Sequence, residues 1–397
     1  MRAVIIGNGV AGVSAASLLA DSPNVSVEMI SDEEFRYYNR PHLLEFIAGR
    51  APFESIFVYP EEWYAKKGIR TRLREKVLAL DPSRKEISLG NGRVAFDKLI
   101  LATGSKPNVP PIKGVEKKGV FTLRSARDAL SIVDYSRNAR RAVVIGGGLL
   151  GLEAAGALRS LGLQVTVVEF LKRLLPKQLD EEAALMLTSM IERIGIRVIV
   201  GGEVDTILGD ESVSQISLKD GTRLEADLTL ISAGVKPRNE LAVEASLKVN
   251  RGILVDDRMQ TSESDIYACG DAAEAKGKID GIIPAAMDQS RIAAQNILGG
   301  SATYGATPYA FTLRLGGIKL ASIGEISSSG GEYEERKNVD ADRGNYTKLV
   351  FKDGVIVGAI LLGDTTKLGA FKKLILDHRD LSSLKDSVFD IDINRTQ

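Results

Sequence analysis

Cysteine and histidine are scarce in this chain of 397 residues, which contains one cysteine, Cys269, and two histidines, His42 and His378. A single cysteine excludes an intrachain disulfide, a redox-active CxxC pair and a cysteine-ligated iron–sulfur cluster. The shortage of both residue types also excludes a zinc site built from histidine and cysteine. We therefore expect no metal site and no redox chemistry carried by cysteine pairs.

The chain also lacks an excess of either charge, since Lys and Arg total 52 and Asp and Glu total 52. No overall field would attract nucleic acid or an acidic membrane surface. No apolar run approaches the length of a membrane span, and the chain enters a predicted strand at Ala3 where a signal segment would be apolar and longer. We expect a cytoplasmic protein with neither nucleic-acid nor membrane partners.

A glycine-rich motif stands near the middle of the chain. It follows a predicted buried strand at residues 142–145 and precedes an Ala/Leu-rich helix and a second strand at 165–168. Its GxGxxG glycines are Gly146, Gly148 and Gly151. Such a turn brings backbone N–H groups of a helix N-terminus to a pyrophosphate, and a carboxylate after the second strand binds a ribose 2′-hydroxyl. Glu169 takes that position and favours NAD over NADP, although Lys172 and Arg173 lie close in sequence.

The same pattern occurs at the start of the chain, in residues 1–30. The turn glycines there are Gly7, Gly9 and Gly12. One GxGxxG would be a weak signal, but two complete strand–turn–helix–strand units predict two dinucleotide folds. Ser31 aligns with Glu169 and is followed by Asp32 and Glu33, either of which could hold the ribose; we favour Glu33 slightly.

The remaining pattern predicts the organisation of the chain. Residues 228–237 repeat 99–107, each an apolar strand followed by a small residue, Gly and Lys-Pro, so the chain is an internal duplication with the second copy inserted in the first. We predict a helix over 55–66 and a meander of four strands over 69–96. The predicted domains are 1–110 with 238–303, 111–237, and an α+β domain at 304–397 with a hairpin turn at Asp353-Gly354.

Four ordered motifs resemble those of the FAD-dependent pyridine nucleotide–disulfide oxidoreductase superfamily: GNGVAG, LATGSKP, GGGLLGLEAA and TSESDIYACGD. The resemblance covers essentially the whole chain. FRYYNRPHLLEFIAG and YTKLVFKDGVIVGAILLGDT are most similar to NADH:rubredoxin oxidoreductases and to the flavin modules of nitrite reductases. The resemblance implies an α/β fold, glutathione-reductase-like, with two Rossmann-like domains and a C-terminal α+β domain. It also implies FAD in the first dinucleotide fold and NADH in the second.

The resemblance assigns roles to individual residues. The residues that would contact FAD are Gly7, Gly9, Gly12, Asp32, Glu33, Arg40, Pro41, Val77, Ala102, Thr103, Gly104, Gly270 and Asp271. Those that would contact NADH are Gly146, Gly148, Gly151, Glu169 and Gly234. Arg40 near the isoalloxazine ring and Glu153 between nicotinamide and flavin are the implied catalytic residues.

The chain departs from the family pattern at two places. The segment RPHLLE has Glu45 where ferredoxin reductases carry a flavin-contacting lysine, and the first helix region has no cysteine. Cys269 is predicted to be a core residue. Electrons must therefore leave directly from the flavin to an external acceptor.

Three interpretations of that acceptor remain open. The first is an NADH oxidoreductase for a rubredoxin-like protein, steered by a basic surface. The candidate residues of that surface are Lys367, Lys372, Lys373 and Arg379. The second is an NADH oxidase or diaphorase that uses O₂ or small oxidants, and the third is an NADH-sensing flavoprotein resembling apoptosis-inducing factor. The chain could also be one subunit of a larger reductase, and either a monomer or a homodimer.

Overall fold

The computed structural model describes residues 1–305, 309–327, 333–382 and 388–389. The chain divides into two compact units. The first unit consists of Met1–Phe46, Ala51–Asn108 and Val235–Ala306, and the second of Ile47–Arg50, Val109–Gly234 and Thr307–Gln397. The C-terminal sheet belongs to the second unit together with the second dinucleotide fold, and the division into three domains stays a prediction.

The helices and strands follow in four stretches that alternate between the units. The first stretch contains β1 (Arg2–Ile6), α1 (Val10–Ala20), β2 (Ser26–Ile30), α2 (His42–Ile47), α3 (Glu61–Lys66), β3 (Ile69–Arg72), β4 (Ala79–Asp81), β5 (Glu86–Leu89), β6 (Gly92–Ala95), β7 (Lys98–Leu101) and β8 (Ser105–Pro107). The second contains β9 (Val120–Thr122), α4 (Ala126–Ser136), β10 (Arg141–Ile145), α5 (Leu149–Ser160), β11 (Gln164–Glu169), α6 (Glu181–Arg193), β12 (Ile196–Val200), β13 (Val204–Leu208), β14 (Gln215–Leu218), β15 (Arg223–Glu225) and β16 (Leu228–Ile231). The third contains β17 (Val235–Pro237), α7 (Glu240–Glu244), β18 (Ile253–Val255), β19 (Ile266–Ala268), β20 (Ala273–Ala275) and α8 (Ile283–Ile297). The fourth contains β21 (Ala310–Leu315), β22 (Ile318–Gly324), β23 (Tyr333–Asp340), β24 (Asn345–Lys352), β25 (Val355–Leu362) and α9 (Leu368–Asp377).

The first unit is built on a parallel sheet with strand order β19-β7-β1-β2-β3. Its central strands β1 and β7 are almost entirely apolar because both faces of the sheet are covered there. Ile5 and Met29 pack with α1 and α8 on one face, while Val4 and Leu99 pack with the meander β4-β5-β6 on the other. The carboxyl ends of β1, β2 and β7 therefore meet at one edge of this sheet.

Two predictions about residues 55–96 were wrong. The strand that begins at Ile69 does not join the meander, since it pairs with β2 in the parallel sheet, where Ile69 aligns with Val27. The predicted helix over 55–66 is a 3-10 turn at Phe53–Ile56 and the separate helix α3. Pro60 precedes α3 as its N-cap, because a proline has no N–H to donate inside a helix and is tolerated only at its start.

The second unit repeats the design with a parallel sheet in the order β12-β11-β10-β16-β9 and a meander β13-β14-β15. It adds an antiparallel sheet in the order β21-β22-β25-β24-β23, with α9 on one face. The hairpin between β24 and β25 turns at Asp353 and Gly354, whose φ angles are +49° and +78°. The predicted turn and the predicted fold class, with Rossmann-like folds and a C-terminal α+β sheet, are confirmed.

Within the second unit, the antiparallel sheet packs closely on the dinucleotide fold. A Cβ on Gly156 of α5 would lie 2.2 Å from a methyl carbon of Leu315 in β21, so a larger residue there would require the Leu315 side chain to move. The antiparallel sheet also makes a charged contact with the start of α6. The buried ammonium of Lys348 lies 2.8 Å from Glu335 and 3.2 Å from Asp180, the N-cap residue of α6. The Tyr346 hydroxyl donates to the same Asp180 carboxylate at 2.6 Å.

Candidate dinucleotide-binding sites

The first glycine turn joins β1 to α1 and requires glycine for steric reasons. Gly7 has a φ of +116°, and a Cβ there would lie 2.1 Å from the carbonyl oxygen of Ala102 after β7. A Cβ on Gly12 would lie 2.0 Å from the carbonyl oxygen of Gly7. The turn can therefore close tightly over the sheet edge only because these side chains are missing.

The N-terminus of α1 is open at this turn. Its N-cap residue is Gly9, which offers no side chain to the first-turn N–H groups. Gly270 lies against the first turn of α1, since a Cβ on it would be 3.0 Å from that of Ala11. The structure thus brings the GNGVAG, LATG and ACGD segments together at the carboxyl edge of the first sheet, where a helix N-terminus favours a bound pyrophosphate.

The acidic residues after β2 have separate partners. The Glu33 carboxylate accepts hydrogen bonds from the Tyr38 hydroxyl at 2.5 Å and from Arg40 at 3.2 Å. Asp32 instead forms an ion pair with Arg238 at 3.2 Å. A second nitrogen of the Arg40 guanidinium lies 3.1 Å from where a Cβ on Gly9 would be, so Arg40 lies over the glycine turn.

The remaining predicted FAD residues surround the same sheet edge. Asp271 accepts a hydrogen bond from the buried Ser105 hydroxyl at 2.8 Å, and the Thr103 hydroxyl donates to the carbonyl of Arg238 at 2.6 Å. Gly104 adopts a φ of +70°. Pro41 is exposed just before α2, and Val77 is partly buried against the meander core, two residues after a loop that hydrogen-bonds to Ser31 and Glu33.

Two asparagines at this edge carry polar atoms that sequence reasoning missed. The side-chain carbonyl oxygens of Asn8 and Asn39 are buried without a hydrogen-bond partner among the described residues. Asn8 is the middle residue of the first turn, and its amide nitrogen donates to the carbonyl of Phe35 at 2.9 Å. A buried oxygen without a protein donor is a place where a bound molecule can donate a hydrogen bond. The only sequence signal was the asparagine inside GxG.

The second glycine turn has the same geometry. Gly146 has a φ of +119°, and a Cβ on it would lie 2.2 Å from the carbonyl oxygen of Ser232 after β16. A Cβ on Gly151 would lie 2.1 Å from the carbonyl oxygen of Gly146. Gly148 is the N-cap of α5 without a capping side chain, and Gly234 follows Ser232 with a φ of +85°.

Glu169 is fixed at the end of β11 by the backbone. Its carboxylate accepts the N–H of Gly147 at 2.6 Å and the N–H of Leu171 at 2.8 Å. Phe170, directly after it, is 62% exposed. These contacts hold a carboxylate beside the turn at the position where a dinucleotide fold binds ribose hydroxyls.

The two predicted catalytic residues have well-defined surroundings in their own units. Arg40 lies over the first turn between Glu33 and the Tyr38 ring, 5.8 Å from the ring centroid. Glu153, in the first turns of α5, accepts the backbone N–H of Arg314 in β21 at 3.4 Å. Each residue thus lies next to the glycine turn of its own unit.

Three further predictions concern the single cysteine, metal binding and membrane-spanning helices. Cys269 is fully buried in the first unit's core, and burial raises the pKa of its thiol to about 12, so the prediction of a core cysteine is confirmed. Within the described ranges, no group of histidine, cysteine, aspartate or glutamate side chains could hold a metal ion. In the same part of the chain, no helix is both long and apolar enough to cross a membrane.

Comparison with known protein families gives two matches. Residues 1–290 match the family described as pyridine nucleotide-disulphide oxidoreductase. Residues 310–379 match the rubredoxin NAD+ reductase C-terminal domain.

Individual proteins are similar over almost all of the chain. The assimilatory nitrate reductase electron transfer subunit of Bacillus subtilis is 36% identical over 98% of this chain and 51% of its own length. The crystal structure of NADH:rubredoxin oxidoreductase from Clostridium acetobutylicum is 31% identical, with a TM-score of 0.82 over 98% of this chain and 99% of that one. The covalent putidaredoxin reductase–putidaredoxin complex gives 26% identity and a TM-score of 0.88 over 96% and 94%.

The relatives differ in length. This chain spans about half of the Bacillus subtilis nitrate and nitrite reductase proteins, 51% and 48%, but 97% of the Clostridium acetobutylicum NADH-rubredoxin oxidoreductase. The part shared with the longer relatives is therefore the flavoprotein fold, which makes up about half of their length.

Proposed function

Since the chain belongs to the pyridine nucleotide-disulphide oxidoreductase family, whose members use FAD and NAD(H), we propose that it is an FAD-dependent NADH:acceptor oxidoreductase. Its acceptor would be a small redox protein of the rubredoxin type. The observation that carries this proposal is the match of residues 310–379 to the rubredoxin NAD+ reductase C-terminal domain, together with two complete glycine turns in one chain.

The first unit would hold FAD. Two features fit that cofactor: the N-terminus of α1, which has no capping side chain, and the unsatisfied oxygen of Asn8 in the turn before it. The residues we assign to FAD are Gly7, Gly9, Gly12, Asp32, Glu33, Arg40, Pro41, Val77, Ala102, Thr103, Gly104, Gly270 and Asp271. Ser105 would position Asp271, because its hydroxyl already fixes one carboxylate oxygen.

The second unit would hold NADH. The N-terminus of α5 would take the pyrophosphate at Gly146, Gly148 and Gly151, with Gly234 across the sheet edge. Glu169 would accept hydrogen bonds from the adenosine ribose, and its charge would repel a 2′-phosphate. The backbone N–H groups of Gly147 and Leu171 hold that carboxylate in place before the nucleotide arrives, which lowers the cost of binding.

FAD, when bound, supplies an acceptor for a hydride and a donor of single electrons. The chain's own contribution is binding, orientation and exclusion of water. Arg40 would place a positive charge near the isoalloxazine ring of FAD. Glu153, on α5, would orient the nicotinamide ring of NADH. No cysteine pair is available to relay the electrons, because Cys269 is alone and buried.

A basic surface on the antiparallel sheet domain would steer an acidic carrier protein. Lys373 of α9 is exposed and has no hydrogen-bond or ion-pair partner among the described residues, whereas Lys367 donates to the carbonyl of Phe389. We assign Lys373, with Lys372 beside it, to this steering. Reversing the charge with Lys373→Glu should lower the rate of carrier reduction and its salt dependence, and leave reduction by NADH unchanged.

A second function is favoured by the lengths of the relatives. Since the chain aligns with about half of the nitrate and nitrite reductase proteins, it would act as an NADH-oxidising module that delivers electrons to a reductase component of that kind. This differs from the first proposal in the acceptor only. For either function we propose a cytoplasmic location, because NADH is the reductant.

Anaerobic stopped-flow spectroscopy tests the proposal. The flavin band of the purified holoenzyme should bleach within a second with NADH and much more slowly with NADPH. Adding rubredoxin should then reoxidise the flavin faster than air does. A protein that cannot be loaded with FAD would refute the proposal entirely, and turnover sustained equally by air alone would refute the assigned acceptor.

A further inference from the structure

A groove of about 550 Å³ lies at the edge of the second unit's parallel sheet where β11 and β12 begin. Because β10, β11 and β12 are parallel, the glycine turn after β10 is at the opposite edge of the same sheet. The groove is therefore separate from the dinucleotide site of this unit. Its volume lies within the range of about 300 to 1,000 Å³ that is usual for small-molecule sites.

Two arginines line this groove without carboxylate partners. Arg159 is in the last turn of α5, and Arg197 is in β12, where it aligns with Thr166 of β11. Neither guanidinium makes a hydrogen bond or ion pair with any residue that the structure describes. Arg141, at the start of β10, shows the contrast, since Asp227 at 2.7 Å and Glu225 at 3.2 Å neutralise it.

The Arg159 guanidinium has a defined position at the groove. A Cβ on Gly195 would lie 3.0 Å and 3.1 Å from two of its nitrogens, so the planar group rests directly over the backbone of Gly195. Gly195 also has a φ of +80°, a conformation that glycine adopts without strain. Any larger residue at position 195 would displace the guanidinium from this place.

The surroundings add positive charge. Arg193 lies in the last turn of α6, two residues before Gly195, and the carbonyl oxygen of Arg140 accepts the N–H of Gln164 at 2.8 Å. The side chains of Arg140 and Arg193 are exposed and have no ion-pair partner in the described part of the chain. Arg140 and Arg193 do not line the groove themselves, but they are close in sequence or hydrogen bonding to residues that do, and they add positive charge near it.

We propose that this groove binds a phosphate-bearing small molecule of nucleotide size. Arginine suits this ligand because its planar donors match two phosphate oxygens at once. The phosphate would lie between Arg159 and Arg197, with the side chains of Gln164 and Thr166 as additional polar contacts. Since the groove and the glycine turn are at opposite sheet edges, this ligand and NADH bind at the same time.

Calorimetric titration of the holoenzyme tests the site. Saturating NAD⁺ keeps the glycine turn occupied, and sodium chloride keeps the ionic strength constant while inorganic pyrophosphate or ADP is added. We expect Arg159→Gln and Arg197→Gln each to weaken binding about tenfold, as expected for the loss of one charge-assisted contact. The double variant should bind at least about a hundredfold more weakly.

Arg223→Gln is the matched control, because Arg223 is an exposed arginine of β15 in the same unit and does not line the groove. It should bind pyrophosphate like the unmodified protein. Tighter binding of ADP than of pyrophosphate would identify a nucleotide, and equal binding would identify the phosphate group alone as the ligand. No pyrophosphate binding at millimolar concentration, unchanged binding by the double variant, or an equal loss in Arg223→Gln would overturn the proposal.

Discussion

The two glycine turns of this chain have nearly the same backbone but different side chains around it. In both, the first glycine has a φ close to +120°, and a Cβ on the last glycine would come within 2.1 Å of the first glycine's carbonyl oxygen. In both, the N–H of the first glycine donates to a backbone carbonyl oxygen near the end of the second strand at 2.8 Å. The acceptor is Ile30 in the first turn and Val168 in the second. The shared geometry is a requirement of the backbone alone.

The difference lies at the carboxyl end of the second strand of each unit. Glu169 occupies that position in the second turn and is bonded directly to Gly147. Ser31 occupies it in the first turn, where the middle glycine is replaced by Asn8 and the carboxylate of Glu33 is bonded to Tyr38 and Arg40. This difference is the basis of our proposal that the turn allows a dinucleotide to bind and that the residues at the end of the second strand select FAD or NADH.

The largest effect should come from Gly12→Ala and Gly151→Ala, which separate the roles of the two turns. Each added methyl would clash with a backbone carbonyl at 2.0 Å or 2.1 Å and open its turn. We expect Gly12→Ala to purify without flavin. Gly151→Ala should keep its flavin and lose at least about a hundredfold in the rate of reduction by NADH.

Absorbance at 450 nm and anaerobic stopped-flow rates measure the two outcomes. Gly90→Ala and Gly369→Ala are the matched controls, since a Cβ at either position has no atom within 4 Å. If both turn variants lost flavin equally, the assignment of one cofactor to each turn would be wrong.

The next largest effect should come from removing a charged side chain, and it should be larger for a buried lysine in the second unit than for an exposed arginine in the first. Lys348→Met removes a buried cation that lies within 3.2 Å of both Asp180 and Glu335, and we expect a loss of about 3 to 5 kcal/mol in the free energy of unfolding. Arg70→Gln in the first unit removes a 68% exposed partner of Glu28 at 3.5 Å, and should cost less than about 1 kcal/mol. Urea titrations followed by circular dichroism compare them, and equal losses would contradict this ranking.

A smaller effect is expected from the carboxylates beyond the second strands. Glu169→Gln should lower kcat/KM for NADH about tenfold and reduce the preference over NADPH, because a charged acceptor of ribose hydrogen bonds is lost. Glu33→Gln should weaken FAD binding and leave the KM for NADH of the flavin-loaded protein unchanged. Steady-state kinetics with both nucleotides and FAD titration of the apoprotein measure these changes.

Asp32→Asn completes this test. If Asp32→Asn weakened FAD binding more than Glu33→Gln, the ribose carboxylate of the first turn would be Asp32. A change in the KM for NADH of the flavin-loaded protein in either variant would contradict the separation of the two sites.

The smallest effect concerns acid stability. Burial disfavours the charge of Glu28, but hydrogen bonds from Arg2 and Arg72 outweigh it and lower its pKa below the usual 4.5. A lowered folded-state pKa contributes stability above about pH 4.5, and that contribution is lost as the pH falls through the folded-state value. Glu28→Gln should therefore show a shallower loss of stability between pH 5 and pH 3 in urea titrations. An unchanged slope would mean that Glu28 contributes little.

Elements with strong local patterns could be predicted from the sequence. Both glycine turns, their flanking strands and the Asp353-Gly354 hairpin follow from backbone requirements that only particular residues meet. Short strands with weak alternation, such as β9 and β13, were not predicted. Neither was α4, although Ser125 and Asp128 form a capping box at its start.

Pairing partners could not be predicted from local pattern. The strand at Ile69 has the composition of a meander strand, and only its alignment with β2 places it in the parallel sheet. The partners of Glu33 and Asp32 are likewise side chains distant in sequence or held by a loop, including Arg238. The groove at Arg159 and Arg197 had no sequence signal at all.

The sequence by itself determined two dinucleotide folds, the absence of a cysteine relay and the acidic residue at position 169, because spacing and residue type suffice for these. The tertiary structure decided which carboxylate is hydrogen-bonded to which donor, where β3 pairs, and which arginines have no partner among the residues that the structure describes. The reason is physical: backbone turns are local, whereas ion pairs, strand pairing and burial depend on residues that only the folded chain brings together.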